Sequence, residues 1–192
     1  SISLLQDTFS VPATTTSVTQ LFSSKNLTGL TATVTGALEG ATVNLNEVSR
    51  TIVVNFRANT TPSERVSTVT VTGTRSDGKG TYSKSFTIVQ AAAKAATWDL
   101  PATLAFEAGG NGVVFNITDK DSAGWRLTLP DWCFVSDGIT EGSGDHETDL
   151  VARANYTGSA RTGHITLYPA GSSTMTMRCE VSQEEDTTIE QG

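Results

Sequence analysis

One short pattern occurs twice in this chain, 96 residues apart, and it restricts the fold to a repeated architecture. Arg57-Ala58-Asn59 is followed by Arg65 and then Val69-Thr70-Val71, and Arg153-Ala154-Asn155 is followed by Arg161 and then Ile165-Thr166-Leu167. Each copy closes on a segment ending in glutamine, Phe86-Thr87-Ile88-Val89-Gln90 and Cys179-Glu180-Val181-Ser182-Gln183. Self-similarity at a fixed period marks repeated structural modules. A chain of 192 residues has room for two units of about 90, each near the lower limit for a self-sufficient core.

The periodicity within each unit is that of strands. Ile52, Val54 and Phe56 alternate with polar residues, as do Val69 with Val71 and Phe86 with Ile88. A period of 2 predicts half-buried strands at 51–58, 66–73 and 82–90, with further strands near 31–35 and 41–45. Ser76-Asp77-Gly78-Lys79-Gly80 is a hairpin turn, because Asp-Gly accepts positive φ. In the second unit, strands are expected at 103–107, 112–118, 125–129, 132–135, 148–155, 163–168 and 174–182. Seven short strands separated by Gly-rich turns match a two-sheet sandwich. The expected organisation is a first sandwich at 1–90, an Ala-rich linker at 91–96, a second sandwich at 97–183 and an acidic tail at 184–192. Trp98 is expected at the domain junction, and the tail is expected to be mobile or an arm that orders against a partner.

Charge excludes several functions. The net charge is −7 and no basic stripe occurs, so nucleic-acid binding is not expected. No apolar run approaches the length of a membrane span, so no membrane insertion is expected. The start at Ser1 without a visible signal peptide suits a trimmed secreted protein or a protein that lost its initiator Met. Cys133 and Cys179 are the only cysteines and form either a disulfide or two buried thiols.

Candidate chemistry is sparse. His146 and His164 are the only histidines, and no nucleophile elbow accompanies them, so no catalytic residues are assigned. Asp137, Glu141 and Asp145 crowd a Gly-rich stretch beside His146. Oxygen ligands on such a loop suit Ca²⁺, but the order does not fit an EF-hand, so a solvated acidic loop is expected and neither metal nor cofactor is assigned. Glycan recognition needs exposed aromatic faces, for which Trp132, Tyr156 and Tyr168 are the candidates. Trp125 alternates with Leu127 and Leu129 and is expected in the core. Asn59 and Asn155 end strands before Thr-rich turns, a structural role that suits asparagine because it tolerates the left-handed conformation and caps its own backbone. Thr-rich stretches with few charges, such as 67–73, suit assembly through sheet edges.

The second unit carries a longer pattern. Phe106 and Gly109-Gly110 precede a strand, and Gly124-Trp125 opens another. Trp132-Cys133-Phe134-Val135, Gly142-Ser143-Gly144, Asn155, Arg161-Thr162-Gly163 and Val181-Ser182-Gln183 follow in order. This arrangement resembles the BACON family, immunoglobulin-like modules of Bacteroidota proteins and their phages, over residues 100–183. The first unit is similar in its C-terminal half, where it keeps Asn59, Arg65 and Val89-Gln90, but Leu30 stands where Trp125 would fall.

The resemblance implies an all-β chain of two tandem immunoglobulin-like sandwiches without enzymatic activity, and it carries over no binding residues. Two roles follow as expectations. One is a phage virion protein decorating a capsid or tail, favoured by the start at Ser1. The other is a glycan-adhesion module, whether a mucin-binding or a spacer piece of a larger Bacteroidota surface protein. The expected partners are protein neighbours in an assembly, glycans, or both, at a virion surface or a bacterial cell surface.

Overall fold

The computed structural model describes residues 1–188, and every regular element among them is a strand. Two compact units divide the chain, Ser1–Ala93 and Lys94–Gly192. In the first, β1 (Ile2–Leu4), β2 (Thr8–Val11), β3 (Ser17–Ser24), β4 (Leu27–Gly36), β5 (Thr42–Asn46), β6 (Thr51–Asn55), β7 (Arg65–Arg75) and β8 (Thr81–Gln90) form two sheets, ordered β1-β3-β6-β5 and β2-β8-β7-β4. β2 runs parallel to β8, and every other pairing is antiparallel.

The second unit contains β9 (Thr97–Trp98), β10 (Thr103–Phe106), β11 (Asn111–Thr118), β12 (Trp125–Thr128), β13 (Cys133–Val135), β14 (Glu141–Gly142), β15 (His146–Ala152), β16 (Arg161–Pro169) and β17 (Met177–Gln183). Its sheets are β13-β15-β11-β9 and β10-β17-β16-β12-β14. The order repeats that of the first unit strand for strand, including the parallel pair β10 with β17, and adds β14 at one edge. Both units are immunoglobulin-like β-sandwiches.

The alternation read from the sequence lines the cores. Ile52, Val54, Val69, Val71 and Ile88 are fully buried in the first unit, and Leu150, Ile165, Leu167 and Val181 in the second. Trp125 is buried as expected. Trp98, expected at the junction, is instead part of the second core, edge-on to Phe115 with centroids 6.2 Å apart. Within residues 91–96, three backbone N–H groups are hydrogen-bonded. Ala91 N–H and Ala93 N–H donate to Val11 O and Thr61 O of the first unit, and Lys94 N–H donates to Asp121 of the second. The tail is likewise anchored where described: Asp186 is buried, and its N–H donates to Asn155 O at 2.7 Å. Residues 189–192 lie outside the described residues.

The repeated asparagine and glutamine form a buried amide corner in each unit. Asn155 Nδ2 donates to Ser159 O, Gln183 O and Glu184 O, while its Oδ1 accepts from Thr157 N–H and Oγ1–H. Gln183 Nε2 donates to Glu107 O, Ala108 O and Arg153 O. Asn59 does the same toward Ser63 O, Ala91 O and Thr61, and Gln90 toward Ala13 O, Thr15 O and Arg57 O. The expected local cap is present, but neither asparagine adopts positive φ.

Carbonyls buried at such a corner are costly to leave unpaired, on the order of 1–3 kcal/mol each. All three tryptophans, Trp98, Trp125 and Trp132, lie in the second unit, so tryptophan fluorescence reports that unit. Asn155→Ala is expected to destabilise the fluorescence-monitored urea transition by about 2–4 kcal/mol, whereas Asn59→Ala leaves it unmoved.

Candidate functional site

The repeated arginine is held differently in the two units. Arg57 N–H donates to Glu39 O, and Arg153 N–H donates to Trp132 O, so Glu39 and Trp132 occupy equivalent places. In the first unit, Arg65 pairs with Glu39 at 3.1 Å, and Arg57 joins the same carboxylate at 3.0 Å. Arg57, followed by Arg65, holds the Glu39 carboxyl below its ordinary pKa. In the second unit, Arg161 lies over the Trp132 ring at 4.6 Å from its centroid and donates from Nε to Gln183 Oε1 at 2.9 Å. Gln90 Oε1, the counterpart of that acceptor, has no partner among the described residues.

This geometry corrects the reading of Trp132 as a glycan platform. It is 8% exposed, with Arg161 on its face and Phe106 packed edge-on at 6.2 Å. Tyr156 is 57% exposed beside the Asn155 corner. Tyr168 is half-buried with Arg126 over its ring at 4.3 Å. Tyr168 lies seven residues beyond Arg161 on β16, about 23 Å along the strand, so the aromatic candidates do not form one surface.

The acidic candidates are also dispersed. Asp137 Oδ2 meets His146 Nε2 at 2.8 Å and its Oδ1 accepts from Ile139 N–H, the main contact holding its pKa below the usual carboxylate range. Asp145 accepts from Asp119 N–H at 2.7 Å, and Glu141 sits exposed on β14. Among the described residues, no three His, Cys, Asp or Glu side chains converge in a way that could hold a metal.

Asp119 is a buried carboxylate absent from the candidates. It accepts from the N–H groups of Ala123, Gly124 and Gly144, which ties two loops together, and Trp125 donates from Nε1 to Gly144 O in the same cluster. His146 stacks on Trp125 with centroids 5.3 Å apart. Among the described residues, no hydroxyl or thiol hydrogen-bonds to the ring. His164 is exposed on β16 opposite Glu180.

Cys133 and Cys179 are both buried free thiols, which corrects the disulfide alternative. Burial pushes the Cys133 thiol up to about 11 and moves that of Cys179 in the same direction, so each behaves as a small core residue.

A cleft that the sequence does not announce opens at one tip of the first unit. It measures ≈ 440 Å³ and is lined by Asn26, Leu27, Arg75, Asp77 and Tyr82 among others. The β7–β8 hairpin supplies Arg75 and Asp77, with Asp77 Oδ1 capping Lys79 N–H at 2.9 Å. Asn26 turns the chain from β3 into β4 with φ 60°. Tyr82 faces Gly73 across the ladder, where a Cβ would lie 2.7 Å from Leu30. Among the described residues, Arg75 makes no ion pair. The β3–β4, β5–β6 and β7–β8 turns carry Lys25, Arg50 and Lys79 against Glu47 and Asp77, a local cationic surplus in an acidic chain.

Residues 30–91 match the BACON family model, described as a putative binding domain, N-terminal. The match falls on the first unit and spans its Asn59, Arg65 and Gln90 corner, whereas the resemblance was expected to be stronger over residues 100–183. No curated protein sequence matches the chain. Among solved structures, the chain is similar to a Bacteroides ovatus GH5 xyloglucanase at 23% identity and TM-score 0.38, over 47% of this chain and 19% of that one. It is also similar to the D00-D0 domain of intimin, at 13% identity and TM-score 0.35 over 96% and 100% of the two chains. A third similar structure is the Yersinia pseudotuberculosis adhesin InvE, at 13% identity and TM-score 0.36 over 95% and 58%.

With both cysteines reduced and buried, a thiol-reactive dye is expected to find two thiols per chain in denaturant and almost none in native buffer. Fewer than two in denaturant without reductant would contradict the free-thiol state. Over residues 30–91, about a third of its length, the chain is similar to the BACON family.

Proposed function

We propose that the chain is a non-enzymatic adhesion module, displayed on a bacterial cell or a virion, whose first unit takes a saccharide in the tip cleft. The cleft of Asn26, Arg75, Asp77 and Tyr82 carries this reading. It joins an aromatic side chain to a cation, a carboxylate and an amide, groups that offer a sugar an apolar wall and both donors and acceptors. Arg75, Asp77 and Tyr82 fall within the segment that matches a family of putative binding domains. The cationic tip favours saccharides bearing carboxylate or sulfate groups. Decoration of a capsid or tail is a second reading, supported by the unpaired edge of β4.

A glycan array spanning mucin-type and capsular sugars tests the first reading. Specific binding is expected, and Arg75→Ala is expected to weaken it about tenfold or more, as for a hydrogen bond to a charged group. Tyr156→Ala and Tyr168→Ala are expected to leave it unchanged. Binding lost in those two variants and kept in Arg75→Ala would move the site to the second unit.

A further inference from the structure

We propose that two copies of this chain join through the free edge of β4, pairing antiparallel about Thr33 so that two sheets become one. The stretch 67–73, expected from sequence at an edge, lies in β7 and is paired on both sides, by β4 and β8. The edge is β4 itself, bonded to β7 alone.

The second unit shows what this edge accommodates. Ala32 stands opposite Val71 as Leu127 stands opposite Leu167, and Val71 and Leu167 are 96 residues apart, so β4 and β12 are equivalent. β12 is not free. β14 lies antiparallel along it, and Leu127 N–H donates to Thr140 O at 2.7 Å. The difference is one of connection length. Ten residues, 136–145, lead from β13 to β15 and reach across to β12, whereas only four, 47–50, join β5 to β6. The fold therefore has a strand position that the second unit fills from its own chain and the first unit leaves open.

The backbone at that position is directed outward. Ala37 N–H donates to Val66 O at 2.9 Å, which turns the amides of Thr35 and Thr33 toward β7 and those of Val34 and Ala32 away from it. Among the described residues, no backbone group outside the β7 ladder pairs with Ala32 or Val34. β4 is ten residues long and contains no charged residue and no proline, two of the usual means of protecting an edge, and its β-bulge between Thr28 and Thr31 leaves the stretch 31–35 regular.

The strand is complementary to itself. A twofold axis at Thr33 sets Ala32 against Val34, so both outward amide pairs are bonded, and sets Thr31 against Thr35. Hydroxyls then meet hydroxyls on the outer face, and apolar side chains meet apolar side chains on the inner face. The outer face of this sheet already carries cross-strand rows of Thr31, Thr72 and Ser83 and of Thr33, Thr70 and Ser85, which would run on across the axis. With no charged residue on β4, the pairing sets no like charges opposite each other within the strand.

Thr33 would face its own copy in a non-hydrogen-bonded pair with Cα atoms about 4.5 Å apart, within disulfide reach. Thr33→Cys is therefore expected to give a covalent dimer on mild oxidation, while Ser85→Cys, two strands inward on the same face, does not. Sedimentation equilibrium of the unsubstituted chain is expected to show a monomer–dimer equilibrium, weakened at least about tenfold by Thr33→Lys. Mixing Thr33→Lys with Thr33→Glu is expected to restore it. A chain that stays monomeric to millimolar concentration, or Thr33→Cys crosslinking no faster than Ser85→Cys, would overturn the proposal.

Discussion

The buried amide corner is the contact on which each sandwich depends. Where the chain leaves β6 or β15 for the next sheet, carbonyls must turn inward without a strand to receive them. Asn59 with Gln90, and Asn155 with Gln183, supply the missing donors from side chains that are almost fully buried. An amide suits this task because it offers two donors and an acceptor with no charge to desolvate. The glutamine ends the central strand β8 or β17, so one side chain couples the end of a sheet to the crossover between sheets. This accounts for its recurrence at the same place in two otherwise divergent halves.

Around that shared corner the two units have diverged in compensating ways. Glu39 fixes Arg65 by charge, whereas Trp132 fixes Arg161 by its ring face. Leu30 replaces Trp125 in the core, and Gly73 makes room for it against β4. The second unit adds β14, and the Asp119 carboxylate ties the longer loop down through Gly144 N–H. The first unit keeps a tight turn, which leaves its edge and its tip open.

What was legible in the sequence was whatever a local pattern encodes. The repeat reported the duplication, and the alternation at Ile52, Val54 and Phe56 or at Val69 and Val71 reported strands and core together. β3 escaped because Gln20 occupies an inward position between Val18 and Phe22, which hides its period, and β9 and β14 are two residues long. Topology was beyond local reading. The Thr-rich stretch of β7 has the composition of an edge strand but sits in the middle of its sheet. Trp132 has the composition of a binding residue, but its exposure is set by Arg161, 29 residues later. The tip cleft draws Asn26, Arg75 and Tyr82 from three separate segments, so no motif spells it.

The amide corner has one more consequence. Asparagine and glutamine do not titrate, and hydrogen bonds between neutral groups are not screened by counterions. The amides of each corner therefore keep one protonation state at any pH, and Arg161, which donates to Gln183 Oε1 in the second unit, keeps its charge as well. Such a sandwich can meet large swings in its surroundings with its central polar framework unchanged.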